Sequence, residues 1–239
     1  MQNPAELART SGTESARGRS GVEEIRGYGV MGVPFESGDV LAIRRLPATS
    51  FGPSYSSVWH RAAAGNWTIY TTIDGHRSCP RYFGAAAECV EHVAVELDWT
   101  GPARLEVHVP AVDLRGTFDF AATPITRLMS TMIPLMPARL WRNAQFLSLM
   151  GLMSRATLGS GRMNMRGHVP NRQWYTFHPR TIYRTEDARA SLGGRDFGAP
   201  APLSAQAFLE DFPITQRGLL VFGGVFAEAL DPSRHQKST

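Results

Sequence analysis

Hydrophobic and polar positions alternate with a period of two through most of the chain, the pattern of half-buried strands. Residues 38–47 set Val40, Ala42 and Arg44 against Leu41, Ile43 and Arg45. Residues 55–61 and 67–73 flank an Ala-rich turn ending in Gly65-Asn66 and read as a hairpin. Residues 88–99 predict one strand, with Val93, Val95, Leu97 and Trp99 on one face and His92, Glu96 and Asp98 on the other. Trp99-Thr100-Gly101-Pro102 is a turn signal. Residues 104–109 then alternate Leu105, Val107 and Val109 against Arg104, Glu106 and His108, and 113–120 continue the pattern. Further strands are expected over 161–168, 173–178, 181–184 and 218–229.

One segment departs from this period. In residues 124–159, Leu128, Met129 and Met132 fit helical spacing until Pro134 interrupts. Residues 138–158 make the better helix, with Leu140, Phe146, Leu147, Met150, Met153 and Leu158 apolar and Gly159 as its stop. Strands, a helical insertion at about 125–158, then strands again imply a mainly β fold, either a barrel or a two-lobed β-structure. The expected organisation is one β-rich domain over 27–230, with lobes at about 27–123 and 160–230 joined by 124–159. Residues 1–26 read as a disordered arm with a short helix near 4–9, and 231–239 as a polar tail.

Composition narrows the chemistry. At 239 residues, 43% apolar and 19% charged, the chain buries a core without staples. The net charge of +4 is spread over single arginines, so nucleic acid is not an expected partner. Lys237 is the sole lysine, which excludes imine chemistry and a covalent pyridoxal phosphate anchor in the body of the chain. Cys79 and Cys89 form no CxxC and are expected as reduced thiols. The first residues lack a secretory apolar region, and no run of about 18 apolar residues occurs, so a cytoplasmic protein is expected. HExxH and HxxxH are absent, as is GxSxG. GYGVMG at 27–32 and GLLVFGG at 218–224 lack the context of a dinucleotide site, and Gly223-Gly224 reads as a bulge or barrel corner. No metal and no cofactor are therefore expected.

The candidate site begins at Trp59-His60. Successive strand residues face opposite sides, so one of the pair lines a barrel interior and the other does not. His60 inside would be a general acid or base, with Arg81 and Tyr82 on the Cys79–Gly84 turn and His178 beside Pro179 as further catalytic candidates. Trp59, Tyr55, Trp67 and Trp174, with Met150 and Met153 from the helical insertion, are the candidate substrate-binding residues. The plainer reading makes His60 a strand-surface residue, Tyr82 a plug and the insertion a helix packed on the sheet.

The order GDVLAIRRLP, SVWHR, NWTIY, CPRYFG, WTGPARLEV, DLRGTFDF and RGLLVFGG resembles that of an uncharacterised actinobacterial-type family. Its pattern is similar to the lipocalin-like carotenoid 1,2-hydratase and AttH group. That resemblance implies a lipocalin-like barrel and an apolar isoprenoid-type substrate to which water is added or in which a ring is closed. DWTGPARLEV also resembles a strand of acetoacetate decarboxylase-like proteins, although the essential lysine of that reaction is missing here.

Two classes of function follow as expectations. The first is a cofactor-independent acid/base enzyme (hydratase, isomerase or cyclase) acting on a small apolar isoprenoid- or polyketide-like molecule in a barrel pocket. The alternative is a non-catalytic protein, either one that binds a lipophilic ligand in that pocket or one that docks on a membrane or partner through the Met-rich helix.

Overall fold

The computed structural model describes residues 2–137 and 139–235. Fourteen strands and four α-helices are present among them. The strands are β1 (Val22–Pro34), β2 (Val40–Thr49), β3 (Tyr55–Arg61), β4 (Trp67–Thr71), β5 (Cys89–His92), β6 (Glu96–Trp99) and β7 (Arg104–Val109). They continue with β8 (Leu114–Ala121), β9 (Arg166–His168), β10 (Trp174–Leu192), β11 (Arg195–Asp196), β12 (Phe208–Leu209), β13 (Phe212–Pro213) and β14 (Leu219–Glu228). The helices are α1 (Pro4–Ser11), α2 (Pro80–Phe83), α3 (Pro124–Met132) and α4 (Ala144–Leu158).

The main sheet runs β5-β4-β3-β2-β1-β14-β10-β8-β7-β6, with β9 and β11 paired to β10. It is curled into a half-barrel. The chain itself shows how tight the curl is. β5 and β6 are the two outer strands of that order, yet only residues 93–95 separate them. Four peptide steps span at most about 14 Å, so His92 and Glu96 hold opposite edges of a ten-strand path nearly together. The strand expected over 88–99 is therefore two strands. Its alternation persists across the break, but its hydrogen-bond partner changes from β4, in parallel, to β7, antiparallel.

The curl divides the apolar residues between two faces. The inner face gathers Val58 and Tyr70 from one end of the sheet, Leu105 and Val107 from the other, and Tyr28, Val30, Leu41, Ile43, Phe118 and Leu220 between them. Val95, in the connection between the edges, is buried there too. Helix α1 lies against this cluster through Leu7 and Ala8. Asn3 caps α1 by accepting from the Glu6 amide at 2.9 Å. The arm expected to be disordered thus carries a capped helix and the first residues of β1. Apolar burial at positions 7, 8 and 25 offsets the ordering entropy that polar composition alone would not.

The outer face carries two clusters. One holds Trp59, Trp67, Ile69, Tyr82, Phe83 and Tyr175. The other is the seat of the helical insertion, where Leu147, Met150 and Leu158 of α4 rest on Ile182, Leu219 and Val221. Gly151 permits the close approach, since a Cβ there would lie 2.7 Å from the Met163 carbonyl oxygen. Thr123 caps α3 with a reciprocal capping box, Asn143 caps α4, and Gly159 ends α4 in the left-handed conformation at φ 59°. The helix expected over 138–158 starts at Ala144, preceded by a short 3-10 turn over Leu140–Arg142; Ala138 lies outside the described residues. The strands expected at 173–178 and 181–184 are one strand, β10, with a register shift between Pro179 and Thr181. That shift falls opposite Gly223 and Phe222 of β14. Of the polar tail, Asp231–His235 form a turn, and residues 236–239 lie outside the described residues.

Candidate functional site

The outer face of β1, β2, β3, β10 and β14 frames an apolar cavity of about 120 Å³. Its floor is opened by glycines on neighbouring strands, Gly27 and Gly29 on β1 and Gly223 and Gly224 on β14. Gly27 is forced by the bulge in the β1–β2 pairing, because a Cβ would sit 2.2 Å from the Arg45 carbonyl oxygen. Its walls are aromatic. Trp59 packs on Phe83 with ring centroids 4.6 Å apart, Phe83 on Phe212 at 5.0 Å, and Phe212 on Tyr175 at 5.6 Å. Phe212 belongs to the small β12–β13 hairpin, which is pinned to the sheet where the Trp67 indole N–H donates to the Phe208 carbonyl at 2.9 Å.

Among the described residues one charged side chain lines this cavity, Arg44. Alternation in β2 puts it on the outer face with Val40 and Ala42. It pairs across to Ser57, and the diagonal neighbour Trp59 brings its ring to 4.9 Å from the guanidinium carbon. Toward β1 the guanidinium crosses Gly29, where a Cβ would lie 2.8 Å from Arg44 Cδ. There Nη1 donates to the Val30 carbonyl at 2.6 Å and to the Ile43 carbonyl at 2.9 Å. Arg44 is deep in the molecule, half-buried by accessible surface, and lines the cavity. Among the described residues no carboxylate forms an ion pair with it.

The ionisable neighbours of Arg44 do not supply a counter-charge. Burial raises the pKa of Cys79 despite the opposing influence of Tyr55 and of Arg44 itself. Burial, then the nearby Cys79, push Tyr55 well above the usual phenol range. Both are neutral at physiological pH, and they hydrogen-bond to each other at 3.2 Å. Burial also pulls the pKa of Arg44 down, yet a guanidinium remains cationic in proteins. The indole Nε1 of Trp59 is buried with no partner of good hydrogen-bond geometry; its influence on the Cys79 thiol is a weak one. The other hydroxyls on the lining are committed. Tyr28 accepts from Trp99 at 3.1 Å, Tyr175 donates to the Asn164 carbonyl at 3.1 Å, Thr215 donates to the Gly32 carbonyl at 3.0 Å, and Tyr82 donates to Glu23.

The sequence-derived candidates separate into several places. Trp59 and Tyr82 line the cavity. Arg81 does not: it pairs with Glu23 and covers the Phe51 ring at 5.1 Å. Glu23 also accepts from Tyr82 and from the Leu230 amide at 3.2 Å, so this trio ties α2 to the ends of β1 and β14. Burial and the charge of Glu23 hold the Tyr82 phenol well above its ordinary pKa, which leaves it a fixed donor. Tyr55 and Trp67 are core residues beside the cavity.

His60 is on the inner face. Its Nε2 lies 2.7 Å from Asp39 Oδ1, and because a carboxylate only accepts, Nε2 carries the hydrogen. Its ring stacks on Phe197 at 5.5 Å. Arg195 closes the group with two bonds to Asp39, at 2.8 and 3.0 Å. Burial alone would raise the pKa of Asp39, but the bonds from Arg195 and His60 outweigh it and bring it to about 2. His178 sits between Trp141 and Phe226, with ring centroids at 5.2 and 4.7 Å. Met150 is buried under α4, whereas Met153 and Trp174 are exposed.

Arg44 is the residue that sequence reading missed. Its signal was present as a single charge on the face shared with Val40 and Ala42. Among the described residues no group of three or more His, Cys, Asp or Glu is arranged to hold a metal ion. No protein family matches the chain, and neither a curated protein nor a solved structure is significantly similar to it.

Proposed function

We propose that the protein binds a small apolar molecule in the cavity on the outer face of the sheet. The observation that carries this reading is the cavity itself, a glycine-floored, aromatic-walled space adjoining a buried core. A volume of about 120 Å³ suits a single ring or a short acyl chain. Binding is favoured over turnover because the acid/base candidates do not converge. His60 is bound to Asp39 on the opposite face, and Tyr82 and Arg81 are both held by Glu23. Native mass spectrometry of the purified protein, followed by denaturing extraction, tests the reading. A copurified apolar molecule that is lost in Val225→Trp, which fills the cavity, supports it. A retained ligand in that variant would place binding elsewhere.

A second reading rests on the helical insertion. Between Ala121 and Thr185 the chain has nine arginines and no Asp or Glu. The same stretch exposes Leu128, Met132, Leu135, Leu149, Leu152 and Met153. Apolar side chains amid arginines that far outnumber their carboxylate partners (Arg180 pairs with Glu14) fit the interface of an anionic bilayer. No helix among the described residues is long and apolar enough to cross a membrane, so contact through α3 and α4 would be peripheral. Cosedimentation with phosphatidylglycerol vesicles, but not phosphatidylcholine vesicles, is the expected result, lost in the double variant Leu152→Asp, Met153→Asp. Failure to cosediment, or binding unchanged by that variant, removes this reading.

A further inference from the structure

Each face has an arginine at its charged group, but only one is neutralised: exposed Arg195 pairs with buried Asp39 on the inner face. Arg44 has two backbone carbonyls, an aromatic face and two neutral neighbours, Cys79 and Tyr55. Among the described residues its Nε and Nη2 make no hydrogen bond, and the nearby Trp59 N–H makes none of good geometry. An unpaired charge in an apolar surrounding is costly. The natural remedy is an anion brought in from solution.

We propose that the ligand is a small monocarboxylate, its carboxylate held by the Arg44 guanidinium and its apolar part by the aromatic wall of Trp59, Phe83, Phe212 and Tyr175. This rests on the cavity being a ligand site, and it names the ligand's class. The charge match selects a monoanion. One cation balances one carboxylate, whereas a phosphate dianion would leave a negative charge uncompensated among apolar walls. The planar fork of arginine also suits the two oxygens of a carboxylate. The apolar walls select against small hydrated anions, which would forfeit hydration without packing contact.

Calorimetric titration with matched pairs tests the proposal: octanoate against 1-octanol, and phenylacetate against 2-phenylethanol, with acetate as the charge lacking an apolar body. The wild-type protein is expected to bind at least one acid, roughly tenfold to a hundredfold more tightly than its alcohol, the range of a charge-assisted hydrogen bond. Acetate is expected to bind much more weakly than either acid. In Arg44→Met, which keeps the apolar stem, the acid is expected to lose that advantage. An alcohol that binds as well as its acid overturns the proposal while leaving the cavity a ligand site, as does an Arg44→Met protein with unchanged acid affinity. Failure of all four apolar compounds to bind the wild-type protein overturns the ligand-site reading as well. The acid-to-alcohol ratio in the wild-type protein decides the matter alone if Arg44→Met does not fold.

Discussion

The two faces of the curled sheet treat buried charge in opposite ways. On the inner face Asp39, His60 and Arg195 satisfy one another: the carboxylate has no accessible surface, and all three bonds to it are 3.0 Å or shorter. On the outer face Arg44 reaches the cavity with its charge unanswered. A closed set of charges specifies structure, because removing one member strands the others. An open one leaves an interaction for something else to complete. Side chains on alternating strand positions therefore do different work a single peptide bond apart, as at Trp59 and His60.

Substitutions can break this contrast, and the largest effect belongs to the aromatic wall of the outer face. Trp59→Ala removes a fully buried indole from the outer cluster and should cost about 3–5 kcal/mol in chemical denaturation. Asp39→Ala should cost about 3 kcal/mol, since it leaves Arg195 and His60 without their acceptor. Gly29→Ala drives a Cβ to 2.5 Å from the Ile43 carbonyl oxygen and onto Arg44. A loss of about 2 kcal/mol is expected, with weaker ligand binding from the displaced guanidinium.

The Asp39 contrast also has a pH signature. Its carboxyl is lowered from 3.8 to about 2 in the folded protein, so its stabilisation is present above pH 4 and is lost as pH falls toward 2. Acid titration of thermal stability should show a loss of about 2 kcal/mol or less across that window, since exposed Arg195 leaves the pair partly screened. Asp39→Asn should lack this component. The smallest effect sharpens the comparison most. Arg44→Met should change the stability of the ligand-free protein by less than about 1 kcal/mol, because no partner charge is stranded and relief of the unpaired charge offsets the lost carbonyl bonds and ring contact. A loss as large as that of Asp39→Ala would mean that Arg44, too, belongs to a closed structural network.

Much of the fold was legible because strand alternation is local. Leu105, Val107 and Val109 are buried and Arg104 and Glu106 exposed along β7, as their order implies. Gly159 ends α4, as its place after the last apolar position implied. The faces of β2 were readable too, and with them the position of Arg44 beside Val40 and Ala42.

Partners were not legible, because period two says which residues share a face but not what that face meets. The alternation over 88–99 is the same whether its residues pair with one strand or with two at opposite edges of a sheet. Only the curl brought those edges together and made one side of β3 an interior. Likewise the sequence determined that Trp59 and His60 point apart. The tertiary structure decided that His60 finds Asp39, from a neighbouring strand's entry, and that Trp59 and Arg44 meet glycines from β1 and β14 instead of side chains. Distance along the chain carries no information about those encounters: Arg195 is 156 residues from the carboxylate it neutralises, and among the described residues no carboxylate reaches Arg44.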